Sequence, residues 1–393
     1  MSLRIPPIAV AAFLFFCGVM GTRPLVPLLA LDLGIGAGEI GVLVAVFAII
    51  PLALASRAGV WMDHHGTGRA LLASGLVGAL GLALPAFLPG RAGLYVSQLI
   101  CGSGFTIFVL AAQNQAGRLA KTIWDRERSI AVFSMGVALG GLAGPLLGGL
   151  AAERLGYAMA FLLLTVPALA AVGFVLHFVA DDREAEAASG GRALTPPPSL
   201  RTPLRVLGYH PYLGRAVLIS SLILMGKDIY IAYFPVYALE AGLGASLIGT
   251  IVALHNGGGV VMRFAMLPLV RHLGKNRVIV LSIAVAAACF AALPLVSAVW
   301  ALALVSLIMG MGLGVGQPLS ISRTINLSPA DKVGEVLGFR LACNRFTQVV
   351  TPLAAGGLLA FSAVPGVFVA IAVMMGVGST RLAIPEEAEG GGA

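Results

Sequence analysis

Shifted by 208 positions, this sequence falls on itself: Leu31-Asp32-Leu33-Gly34-Ile35-Gly36-Ala37 lies over Leu239-Glu240-Ala241-Gly242-Leu243-Gly244-Ala245. Ile40-Gly41 falls on Ile248-Gly249 and Pro27 on Pro235. Further on, the polar loop Asp63-His64-His65-Gly66-Thr67-Gly68-Arg69 meets Arg271-His272-Leu273-Gly274-Lys275-Asn276-Arg277 without a gap. Gly66 coincides with Gly274 and Arg69 with Arg277. A repeat at about half the chain length constrains the fold before any local pattern does. The chain is two homologous halves in the same orientation.

The repeated unit is apolar. Of 393 residues, 59% are hydrophobic and 11% charged, with 51 glycines and 22 prolines. Mean hydropathy is +0.97. A soluble domain is about a quarter charged, so this much apolar surface has no aqueous core to enter. The apolar runs approach the roughly 20 residues that a bilayer-spanning helix needs. Gly and Pro are tolerated there, since small residues permit close helix contact. The four cysteines, Cys17, Cys101, Cys289 and Cys343, fall inside apolar runs, which argues for packing and against disulfides or a metal site.

The pattern predicts an all-α integral membrane protein of 12 spans in two six-helix bundles, residues 1–180 and 211–381. A polar linker covers 181–210, containing Asp181-Asp182-Arg183-Glu184 and Pro196-Pro197-Pro198, and a Gly-rich tail covers 382–393. Met1–Pro7 carries no cleavage site and reads as the start of span 1 rather than a removed signal. Basic residues concentrate in alternate loops, with Arg69, then Arg118, Lys121, Arg126 and Arg128, then Arg183, Arg192, Arg201 and Arg205, then Arg271, Lys275 and Arg277, then Lys332. The opposite loops hold little beyond Arg91 and Arg154. The positive-inside bias places the basic set, and both termini, in the cytoplasm of a cell inner membrane. The net charge of +8 therefore reports orientation and no nucleic-acid partner.

Two parallel halves, a central linker and the 59–69 loop resemble the major facilitator superfamily of secondary transporters. The family loop reads Gly-x-x-x-Asp-(Arg/Lys)-x-Gly-x-x-(Arg/Lys). Gly59, Asp63, Gly66 and Arg69 match it, and His64 departs from the usual cation. In span 5, Gly140-Gly141-Leu142-Ala143-Gly144-Pro145-Leu146-Leu147-Gly148-Gly149 resembles the signature of the 12-helix drug:proton antiporter branch. Generic close packing by Gly140, Gly144, Gly148 and Gly149, with a bend at Pro145, is the other reading. The family's span 4 pattern Arg-x-x-x-Gly-x-Gly stands here as Gln98-Leu99-Ile100-Cys101-Gly102-Ser103-Gly104, so no coupling scheme carries over through an arginine there.

Ionisable groups at membrane depth are functional candidates, because each costs about 3 kcal/mol to insert. They are Arg23, Lys227, Asp228, His255, Arg263 and Arg345, with Arg57, Arg215 and Arg340 nearer the cytoplasmic surface. Asp228 is the one carboxylate well inside a span. Burial penalises the charged form of any carboxylate, which suits a proton carrier. Asp228 is either that carrier or the neutraliser of Arg23 or Lys227. Lys227 and Asp228 are helix neighbours about 100° apart, so Arg23 is the better expected partner. His255 is either a second proton site or a hydrogen-bonded packing residue. Arg345, beside Asn344 and Gln348, is placed to meet an anionic group of a substrate. Gln98, Gln113, Asn114 and Gln317 add polar lining. Tyr230, Tyr233 and Phe234 either stack on a flat substrate or pack.

The resemblance implies alternating access, with spans 1, 4, 7 and 10 around a central cavity. The expected activity is proton-coupled efflux of a small, amphipathic organic compound. Uptake by proton symport and facilitated diffusion are the alternatives. No enzyme chemistry, metal or cofactor is expected, since the proton gradient supplies the energy. The expected partners are the substrate and the lipid bilayer, with the protein monomeric. The resemblance also makes Asp63 a gate latch with Arg340 as its partner. In the second loop Arg271 replaces Asp63, so Arg271, Gly274 and Arg277 read as a positively charged anchor.

Overall fold

The structure, a computed structural model, describes residues 7–118, 123–178, 202–329 and 332–385, and the side chains of all of these except 53–61, 63–65, 117–118, 123–128 and 202–204. The expected side chain of Asp63, the Cβ-free position Gly59, most of the linker and the end of the tail lie outside that description. Among the described residues every element is helical. They are α1 (Pro7–Thr22), α2 (Leu25–Asp32), α3 (Ala37–His65), α4 (Thr67–Phe87), α5 (Arg91–Arg118) and α6 (Ile123–Phe178). After these come α7 (Thr202–Leu207), α8 (Leu213–Glu240), α9 (Ala245–Leu273), α10 (Lys275–Ala292), α11 (Val299–Asn326), α12 (Val333–Leu358) and α13 (Val364–Arg381). Among the described residues, nine helices are long and apolar enough to cross a membrane.

The repeat persists in the helix boundaries. Adding 208 to the ends of α3 gives those of α9, and adding it to the ends of α5 gives those of α11. The turns repeat atom by atom. Gly34 has φ +69 and Gly242 φ +85. Gly34 N–H donates to Leu31 O at 2.9 Å and Ile35 N–H to Ala30 O at 2.8 Å. Gly242 and Leu243 make the same two bonds, to Leu239 O at 2.9 Å and Ala238 O at 3.0 Å. This is a Schellman C-cap, and its left-handed residue needs glycine. Gly66 (φ 86, ψ 150) and Gly274 (φ 82, ψ 152) likewise share one backbone conformation, open only to glycine. The loop glycines are thus matched because the turns demand them.

Two helices depart from simple crossings. α6 is too long for one bilayer at about 1.5 Å per residue. It folds back at Gly156 (φ 80, ψ 166), while Pro145 stays inside the helix. The first apolar run breaks between α1 and α2 at Arg23-Pro24. A proline removes the N–H that would continue the ladder.

The chain forms two compact units, 1–197 with 238–253 (unit 1) and 198–237 with 254–393 (unit 2). In unit 1 the core includes Phe15 stacked on Phe108 at 3.9 Å. α1 and α6 meet along a seam of small residues. A methyl group at Gly136, Gly140, Gly144 or Gly148 would strike, in turn, the carbonyl oxygens of Ala9, Phe13, Cys17 and Gly21. Both partners recur every fourth residue, so two parallel stripes mate along their length. At the turn between α2 and α3, Arg91 donates to Gly34 O at 2.7 Å and lies 3.8 Å from Glu39.

Candidate functional site

The shift of 208 carries the α6 seam onto α12 with a change of chemistry. Gly136, Gly140, Gly144 and Gly148 become Asn344, Gln348, Pro352 and Gly356. A face that closes on α1 in the first half gains two polar side chains, Asn344 and Gln348, in the second. Each of its polar groups has a use in unit 2. Asn344 Oδ1 accepts from Ser220 Oγ at 3.0 Å and Ser221 Oγ at 3.5 Å. Gln317 on α11 donates Nε2 to Ser220 O at 3.1 Å and accepts from Arg340 Nη2 at 3.0 Å. Pro352 O accepts from Tyr233 at 3.3 Å. Arg345 donates to Gln348 Oε1 at 2.8 Å.

Asp228, on α8, is 6% exposed. Its charge acts on the Arg345 guanidinium across from it on α12. Both groups, at membrane depth in sequence, lie within unit 2. Arg23 lies in unit 1, at the α1–α2 break, with its guanidinium 4.4 Å from the Phe47 ring centroid. A cation over a ring face is a favourable contact. The partner expected for Asp228 was Arg23. Arg23 belongs to unit 1 and Asp228 to unit 2.

A second cluster surrounds His255. Its ring stacks on Tyr230 at 4.0 Å, and Tyr230 stacks on Phe234 at 4.8 Å. His255 Nδ1 lies 3.1 Å from Ser306 O. All three rings are buried, so they cover one another. The Lys227 ammonium, exposed, acts electrostatically on His255. The shift places His255 on Phe47 and Ser306 on Gln98. A methyl at Gly102 would strike Phe47 O, and one at Gly310 would strike His255 O, so both halves use the same helix crossing. In the first half a cation, Arg23, lies over that aromatic position, Phe47.

Of the remaining expected residues, Gln98 is buried and Gln113 exposed. Asn114 Nδ2 is 3.5 Å from Thr67 Oγ1. Arg69, Arg271 and Arg277 are exposed at their loops. Arg271, Gly274 and Arg277 line an open hollow of about 560 Å³ with His272 and Asn276. Asn276 Oδ1 accepts from Arg323 Nη1 and from Ile384 N–H, both at 3.1 Å. The polar links through Ser220, Ser306 and Gln348 were not foreseen as partners. Following the repeat into α12 would have exposed the seam-to-polar replacement.

A model of the Major Facilitator Superfamily matches residues 8–352. Among curated proteins, the chain is similar to the uncharacterized MFS-type transporter YuxJ of Bacillus subtilis (strain 168), 23% identical over 347 residues, 83% of this chain and 82% of that one. Among solved structures it resembles the nucleoside transporter NupG, with TM-score 0.78 and 14% identity over 97% of this chain and 98% of that chain. It also resembles a POT family transporter in complex with a thioalcohol-conjugated peptide, with TM-score 0.75 and 14% identity over 95% of this chain and 94% of that one. At these identities the two structures share the fold.

Proposed function

The chain belongs to the Major Facilitator Superfamily of membrane transporters, and on that premise we propose that it exports a small organic compound in exchange for protons, with Asp228 as the protonated group. The observation that carries this is the buried Asp228 carboxylate acting on Arg345. Protonation cancels the carboxylate charge and leaves the guanidinium uncompensated in a medium where isolated charge is costly. That change of balance links proton binding to the state of α8 and α12. Export rests on the α6 motif, Gly140 to Gly149. Alternating access between the two units would expose the site to each side in turn. The proposal includes 12 crossings, both termini in the cytoplasm, an inner-membrane location and a monomer that needs no cofactor.

A second reading is uptake of an anionic metabolite together with a proton. The same pair favours it, since a proton on Asp228 frees Arg345 for a substrate anion. Proteoliposomes with an imposed pH gradient separate the readings. The panel should contain a dipeptide, a nucleoside, an amphipathic amine and an organic acid, tested on the wild type and Asp228→Asn. Movement against the proton flux, lost in the variant, supports export. Movement with the proton flux supports uptake. Transport indifferent to the gradient in both proteins removes the proton claim.

A further inference from the structure

Residues 238–253 are the end of α8, the Gly242 turn and the first turns of α9. They group with unit 1, while the rest of both helices groups with unit 2. Inside unit 1, this tip is fastened to α6. Glu153 Oε2 accepts from Ser246 N–H at 2.7 Å, in the first turn of α9. A Cβ on Gly244 would lie 2.8 Å from the same oxygen. Below that contact, a methyl at Gly249 would strike Pro145 O and come within 3.0 Å of Gly149 Cα. A methyl at Gly149 would strike Ala245 O. The helices therefore meet backbone to backbone, as small residues allow in a membrane.

The borders of the tip adjoin weak points in the helices. Pro235 precedes the border in α8, and Gly257-Gly258-Gly259 follow the border in α9. Proline and clustered glycine are where helices bend. The first copy of the turn is held differently, by Arg91 on Gly34 O and Glu39. At the matching positions the second copy has Val299 and Leu247, which supply no such clamp.

We propose that Glu153 is a latch: its carboxylate holds the α8–α9 tip on α6, so that the tip and this end of α6 open and close as one piece. A helix start presents unpaired N–H groups and a partial positive charge, both of which favour a carboxylate over a neutral amide. The glycine contacts supply the fit, and Glu153 supplies the hold. Glu153 is a positioning residue that acts through the tip.

Hydrogen exchange of the full-length protein in detergent, read by mass spectrometry, tests this without a substrate. In Glu153→Gln, exchange over 244–253 and over 141–152 is expected to rise together, about fivefold, the loss typical of a helix cap. Glu153→Asp, which keeps the charge, is expected to retain most of the protection. Peptides from α4 serve as the folding control and stay unchanged. A rise confined to the first turn of α9 overturns the latch in favour of a simple cap, and no rise overturns it outright. Ser246→Pro removes the accepted N–H at a position in the first turn where proline is tolerated. It is expected to give the same joint rise if Glu153→Gln fails to fold, and its failure to do so is equally decisive. Transport is not measured, so the result is independent of the direction and coupling proposed above.

Discussion

Arg340 donates from Nη2 to Gln317 Oε1 at 3.0 Å, and the same amide donates to Ser220 O at 3.1 Å. One glutamine on α11 thus links a buried cation on α12 to a backbone carbonyl on α8. Gln317→Leu strands the guanidinium, at a cost of about 2 kcal/mol for a buried group left unpaired. The apparent unfolding temperature in detergent should fall, and should fall less in Gln317→Glu, which pairs with Arg340 more strongly but gives up the donor to Ser220 O. If Gln317→Leu melts with the wild type, the bond holds nothing.

Asp228 and Arg345 should behave as a coupled pair. Asp228→Asn and Arg345→Gln each leave one charge uncompensated in the membrane, which typically costs about 3 kcal/mol. The double variant removes both charges and should regain at least half of the loss. Both single variants should lose gradient-driven transport while remaining folded by circular dichroism. Additive destabilisation in the double variant would show that the two charges do not interact.

The duplication and its turns are legible in the sequence because glycine is demanded by backbone geometry. Gly34, Gly66, Gly242 and Gly274 adopt conformations that other residues resist, so their spacing survives where side chains diverge. Side-chain partners are less so. Asp228 can be recognised as a buried carboxylate from its apolar surroundings, but its neighbour depends on how α8 and α12 are rotated. A one-residue offset moves a side chain about 100° around a helix. Tyr230 and His255 illustrate the ambiguity: both readings, ligand stacking and packing, fit an apolar helix, and that their two buried rings stack on each other depends on how α8 and α9 are rotated.

The seam between α1 and α6 gives a contrast between adjacent glycines. A methyl at Gly140 would lie 2.6 Å from Phe13 O, whereas one at Gly141 meets nothing within 4 Å. Gly140→Ala must push two helices apart and should cost about 2 kcal/mol, the usual penalty for overpacking. Gly141→Ala should be neutral or slightly stabilising, since alanine restricts the unfolded chain. Expression level and unfolding temperature of the two variants decide the matter. Equal sensitivity would mean that the motif acts through something other than contact with α1.

His255 tests whether the aromatic stack is packing or a proton site. The repeat places Phe47 at the corresponding position of the first half, where it also adjoins a cation. A phenyl ring should therefore occupy the His255 position, keep the stack on Tyr230 and lose only the bond to Ser306 O. His255→Phe is expected to fold, with an unfolding temperature within a few degrees of the wild type, since the lost bond is worth about 1 kcal/mol. His255→Ala opens a cavity against Tyr230 and should cost about 3 kcal/mol. With the proton carried at Asp228, the pH dependence of transport in His255→Phe should match the wild type. A folded His255→Phe whose transport no longer responds to pH would move the proton site from Asp228 to His255.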